Sequence, residues 1–186
     1  MNSMHSRRGF LKSLSGAALG LASVSAFGAQ VPFSVAAERK LSFYNLHTGE
    51  SLTETYWVDG HYIPEVMAGM NHLLRDHRTD TSIAIDPRLF DMLFLLQQDL
   101  GVQKQFHVIS GYRSPKTNEQ LRKNNSKVAK RSYHMLGKAI DIRVPGVPLK
   151  TLGSQARSMK VGGVGLYQRS DFVHVDVGPV RTWGKA

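Results

Sequence analysis

Two short apolar runs, AIDIRV (Ala139 to Val144) and FVHVDV (Phe172 to Val177), constrain this chain more than any other feature. Both have the apolar, β-branched character of sheet strands, yet each carries an aspartate, and the second also a histidine. A carboxylate placed in such a strand costs stability unless it belongs to a site. Residues two apart on a strand share a face, so His174 and Asp176 project to the same side. Upstream, SYHMLGKAID (Ser132 to Asp141) puts His134 on an exposed loop just before Asp141, with Gly137 as a turn that lets the chain fold back so that the imidazole approaches the carboxylate.

The remaining elements follow from local signals. LSFYNLHTGESLTETYW reads as a β-hairpin turning at His47-Thr48-Gly49. PEVMAGMNHLLRDHR spaces Val66, Met70, Leu73 and Leu74 as a helix does. DPRLFDMLFLLQQDLG is a stronger helix, with Asp86 as its cap, Pro87 in its first turn and Gly101 at its end. FHVIS (Phe106 to Ser110) is a short strand entering GYRSPKTN, a turn-rich loop. PLKTLGSQARSMK is a helix, and GGVGLY and FVHVDV form a closing hairpin around Gln168 to Asp171. Strands and helices do not alternate regularly, which predicts an α+β domain: a small antiparallel sheet with helices packed against it.

The 186 residues suit one domain, and 41% hydrophobic content is that of a globular chain. There is no cysteine, so disulfides, thiolate nucleophiles and sulfur-ligated metals are excluded and a metal would have to be held by His, Asp or Glu. Two imidazoles and one carboxylate with an open position make up a catalytic zinc site, and His134, Asp141 and His174 are the candidates. Five other histidines, His47, His61, His72, His77 and His107, lack ligand spacing and read as surface or hydrogen-bonded core.

At the N-terminus, SRRGFLK precedes the small-residue run LSGAALGLASVSAFGA, which is too short and too rich in Gly, Ala and Ser to span a membrane. It resembles a twin-arginine export signal. Residues 1–37 are therefore expected to be a signal peptide and 38–186 the working domain, exported to the periplasm and meeting the membrane only in transit. The formal charge is +10, and removing Arg7, Arg8 and Lys12 with the signal leaves +7. A basic exported protein suits an anionic envelope polymer; no nucleic-acid-binding motif is present.

SYHMLGKAID also fits S-x-H-x-x-G-x-A-x-D, and so resembles the zinc peptidases that include D-alanyl-D-alanine carboxypeptidases, VanX dipeptidases and the hedgehog signalling domain. NLHTGES, the GYRS loop, GGVGLY and FVHVD follow in the order seen in the murein endopeptidase group of that superfamily. The resemblance implies a hedgehog/D,D-peptidase-like fold and a Zn2+ ion on His134, Asp141 and His174. It also implies Arg113 of GYRS beside the substrate or oxyanion, and hydrolysis of cross-links between peptidoglycan stem peptides, with a bond between two diaminopimelate residues as one target. Trimming of uncross-linked stems, as a carboxypeptidase or dipeptidase, and cell-wall binding without turnover are the alternatives.

Two carboxylates compete as general base. The pattern Asp-x-x-His of relatives points to Asp171, whereas strand geometry points to Asp176, which could also orient the His174 ring. Ser132, Tyr133 and Tyr112 are expected to contact substrate, and the basic run KNNSKVAKR to steer stem-peptide carboxylates. A monomer is expected.

Overall fold

The structure, a computed structural model, describes residues 37–126 and 128–184. The expected export segment, Ala37 apart, and Lys127 of the basic run lie outside the described residues. In chain order the elements are β1 (Glu38–Asn45), β2 (Ser51–Val58), β3 (His61–Tyr62), α1 (Pro64–Leu73), α2 (Pro87–Asp99), β4 (Phe106–Ser110) and α3 (Pro115–Asn124). A 3-10 turn (Tyr133–Leu136), β5 (Ala139–Arg143), α4 (Leu149–Ser158) and β6 (Gly163–Tyr167) come next. A second 3-10 turn (Gln168–Ser170), β7 (Phe172–Asp176) and β8 (Arg181–Trp183) close the chain. Among the described residues no helix is long and apolar enough to cross a membrane.

The strands form one sheet in the order β3-β2-β1-β4-β5-β7-β6-β8. Pairing is antiparallel except for β1 with β4 and β6 with β8. The mixed helix–sheet architecture agrees with the reading of the sequence, but eight strands make a larger sheet than the small one expected. The difference lies at the edges. β3 and β8 have two and three residues, too short for an alternating pattern to register. Each end therefore gains a strand that only tertiary pairing defines.

Burial follows the expected stripes. α2 lays Leu89, Phe90, Leu93 and Leu96 against the sheet, and the Phe43 ring of β1 meets Phe90 edge-on at 6.3 Å and Phe106 at 6.0 Å. Asp86 caps α2 as predicted, its carboxylate accepting from Arg88 N–H at 3.1 Å. Asp91, on the same helix, accepts from Arg39, Tyr56 and Tyr62 and so staples the first hairpin to α2.

The GYRSPKTN stretch is not only a loop. Ser114 caps α3, accepting from Thr117 N–H at 3.2 Å, with Pro115 at the first helical position. Its sole buried residues, Thr117 and Asn118, are polar, so no apolar stripe announced it. α1 likewise stops at Leu73, because the chain beyond is committed elsewhere. The Leu74 carbonyl accepts from Tyr112 N–H at 2.7 Å, and the buried Asp76 carboxylate accepts from the backbone of Ser114 at 2.8 Å and Arg78 at 3.0 Å. Gly111 permits this crossing, since a Cβ there would collide with the Leu74 carbonyl.

Burial alone would raise the Asp76 pKa, but hydrogen bonds from Ser114, Thr117 and Arg78 outweigh it and hold the carboxyl well below its ordinary value. A folded-state pKa below the unfolded one contributes stability that is present above the unfolded value and lost as pH falls through the folded one. Asp76→Asn should therefore destabilise the protein by about 2 kcal/mol near pH 7, the deficit shrinking below about pH 4. Denaturant titrations of both proteins at pH 7 and pH 3.5 would measure it; a deficit independent of pH would contradict the assignment.

Candidate metal centre

The site is built on adjacent strands. In the β5–β7 ladder Asp141 stands directly opposite His174, and both side chains are buried. His134 arrives from the 3-10 turn that precedes β5. Ser132 caps that turn, its hydroxyl accepting from His134 N–H at 3.3 Å. Gly137 ends it in the left-handed region at φ 64°, where a Cβ would stand 2.7 Å from the Ala84 carbonyl oxygen. The expected fold-back at Gly137 is thus present, but His134 is buried, at 2% exposure, rather than held on an exposed loop. The GYRS segment covers it, and Arg113 N–H donates to the His134 carbonyl at 3.2 Å.

Three donor atoms converge. Asp141 Oδ1 lies 2.8 Å from His174 Nδ1 and 3.2 Å from His134 Nε2, and the two ring nitrogens are 3.2 Å apart. Ligand atoms each about 2 Å from one ion keep roughly this spacing. The other nitrogen of each ring is already committed: His134 Nδ1 to the Gly111 carbonyl at 2.7 Å, and His174 Nε2 to Asp176 Oδ2 at 2.9 Å. Those bonds fix the tautomers that turn Nε2 of His134 and Nδ1 of His174 toward the shared centre. The donor set therefore fits a divalent ion with three protein ligands.

Electrostatics match that use. Desolvation lowers the pKa of His134. Burial has the same tendency at His174, but bonds to Asp141 and Asp176 prevail and raise it to about 9. A cation at these donors would compete with a proton for Nδ1 of His174. Asp141 resists protonation: burial opposes its charge, yet His134 and His174 hold its pKa well below the ordinary carboxylate range.

Around the donors lies a cavity of about 980 Å³. Arg113 faces it from the GYRS loop, its Nη2 3.7 Å from Asp141 Oδ2. Its contacts to Asn118 and Ser110 are both stretched to 3.5 Å, and its buried Nε has no hydrogen-bond partner among the described residues. Ser132 and Tyr133, two of the residues expected at the substrate, line the cavity. Tyr112 does not: it packs in the hydrophobic core, so core packing accounts for its aromatic ring.

Neither candidate base lines the cavity. Asp176 is fully buried behind His174, where it accepts from that ring, from Gly163 and Gly178 N–H and from two nitrogens of Arg181. Asp171 occupies the left-handed turn after Ser170, exposed and paired with Arg143 at 3.1 Å. The even spacing of His174 and Asp176 placed them on one face but could not show that Arg181 closes over the second. Arg181 and Trp183 escaped the reading of the sequence altogether. Arg181 lies over the Tyr133 and Trp183 rings, and Trp183 packs 5.2 Å from the His174 ring. Their signal was the buried aspartate itself, which needs a counter-charge that the turn at Gly178-Pro179 returns to it.

A family model described as peptidoglycan L,D-endopeptidase MepK matches residues 34–183. The chain is 44% identical over 183 residues, 98% of its length and 100% of the relative's, to peptidoglycan L,D-endopeptidase MepK of Escherichia coli (strain K12). It is 42% identical over 172 residues, 92% of either chain, to the probable peptidoglycan L,D-endopeptidase MepK of Haemophilus influenzae (strain ATCC 51907 / DSM 11121 / KW20 / Rd). No solved structure matches.

Proposed function

The chain belongs to the peptidoglycan L,D-endopeptidase MepK family of the M15 zinc peptidase superfamily, and from that premise we propose that it is a zinc-dependent murein endopeptidase. Its substrate is the peptide cross-link of peptidoglycan, foremost the bond joining two diaminopimelate residues. One observation carries this reading: the donor atoms of His134, Asp141 and His174 converge in a substrate-sized cavity, with both rings locked from behind.

His134, Asp141 and His174 would hold the ion. When bound, zinc would supply Lewis acidity toward the scissile carbonyl and toward water. Asp176 keeps His174 in the ligating tautomer, a positioning task that suits its burial and its five donors better than proton transfer at the cavity. Arg113 presents an under-bonded guanidinium beside Asp141, where negative charge develops on the substrate carbonyl oxygen. Ser132 and Tyr133 border the peptide. The helix-flanked, mostly antiparallel sheet with ligands on neighbouring strands supports a hedgehog/D,D-peptidase-like fold. Residues 1–37 serve as a twin-arginine signal, and 38–186 work in the periplasm as a monomer.

Digestion of purified cross-linked peptidoglycan tests the proposal. Dimeric muropeptides should disappear, persist when chelator is present and disappear again once zinc is restored. Shortened monomers beside intact dimers would assign stem trimming instead, and an unchanged digest from zinc-loaded protein would leave binding alone.

A further inference from the structure

The lining of the cavity is charged almost entirely in one sense. Among the described residues it contains four arginines, Arg113, Arg131, Arg169 and Arg181, and a single carboxylate, the candidate ligand Asp141. Arg181 is neutralised by its two-pronged bond to Asp176. Arg113 sits against Asp141, whose charge a divalent cation would also draw on. Arg131 and Arg169 differ from both. They are exposed, and neither has a hydrogen bond or ion pair among the described residues. They also come from separate segments of the lining: Arg131 leads into the turn that carries His134, and Arg169 sits in the 3-10 turn joining β6 to β7. A guanidinium is a planar fork that suits a carboxylate, and a pocket lined by one sign of charge concentrates ligands of the other.

We propose that Arg131 and Arg169 are specificity residues that bind free carboxylates on the cross-linked peptide, so that the site selects cross-links whose carboxyl groups are not amidated. The inference rests on the peptidase reading and deepens it. In an amide joining two diaminopimelate residues, the carbon bearing the acylated amine keeps its own carboxyl group. The acylating residue keeps a second one at the far end of its side chain. The substrate thus carries an anion on each side of the scissile bond, and two unpaired arginines from two segments of the lining answer that arrangement. The stacked rings of Tyr167 and Phe172, 4.5 Å apart beside Arg169, give the intervening hydrocarbon an apolar ledge.

The test compares two cross-linked dimers that differ only in free against amidated carboxyl groups. Zinc-loaded wild-type protein should cleave the free-acid dimer with at least a roughly tenfold higher kcat/KM, chiefly through KM, and the preference should shrink as salt is raised. In the Arg131→Gln/Arg169→Gln double variant the ratio should fall toward one, with zinc content and thermal midpoint at wild-type values as the check on folding. Calorimetry of single stems, checked by mass to be intact afterwards, reads the same arginines independently of cleavage. Free-acid stems should bind the wild type more tightly than amidated ones, and the double variant should lose the difference. If no dimer is cut but the stems discriminate, the peptidase reading fails and the carboxylate site stands. Equal cleavage and equal binding of both forms, or a preference that survives the double substitution, would overturn the inference.

Discussion

Substituting His134 with alanine should abolish metal binding and reduce hydrolysis by at least about a thousandfold, since an ion acting as Lewis acid contributes several kcal/mol to the transition state. The geometry leaves no substitute, because His134 provides one of three donor atoms and no fourth His or acid belongs to the group among the described residues. The fold will register the change as well. His134 is buried, and its Nδ1–H satisfies the Gly111 carbonyl inside the loop that carries Arg113. A stability loss of about 1–3 kcal/mol is expected from that orphaned acceptor. Metal content by elemental analysis, activity on peptidoglycan, and denaturation with and without chelator would separate the effects. Wild-type activity in purified His134→Ala protein would refute the site.

Asp176→Asn carries the second large effect. An amide of the same shape can still meet the His174 ring, but it loses the charge that five donors share. Metal affinity should fall about 10- to 100-fold, as it does when the outer partner of a ligating histidine is removed. Asp176→Ala should also destabilise the fold by about 3 kcal/mol, because the buried His174 ring and the Gly163 N–H lose their acceptor and Arg181 its counter-charge. Zinc titration distinguishes positioning from proton transfer. Weakened affinity with activity recovering at saturating zinc marks a positioning residue. Unchanged affinity with activity lost at every zinc concentration would mark Asp176 as the general base.

The sequence exposed the centre of the molecule better than its margins, for a physical reason. Asp141 and His174 were legible because polar groups inside apolar strands violate the pattern around them, and α2 because cap, first-turn proline and apolar stripe all agreed. α3 was not legible: it is held by Ser114 and by the polar residues Thr117 and Asn118, so nothing in its hydrophobic periodicity marked it. The roles of Asp171 and Asp176 depended on Arg143 and Arg181, partners that only the folded chain brings near. Tyr112 looked like a groove residue because a short motif records neighbours in sequence and not the direction in which a ring is turned. His134 was expected on an open loop because the segment that covers it precedes it by more than twenty residues.

The rung that sets Asp141 opposite His174 has a consequence for how this protein tolerates change. Two of the three candidate donors are aligned by ladder hydrogen bonds, so their separation is as rigid as the pleat itself. Slipping β7 by one residue would present Val173 or Val175 in place of His174 and turn the imidazole to the other side of the sheet. The segment between β5 and β7, which contains α4 and β6, can lengthen or shorten at its turns without moving either donor. Insertions in those turns should be silent at the metal, whereas a single added residue within Ala139–Arg143 or Phe172–Asp176 should erase it.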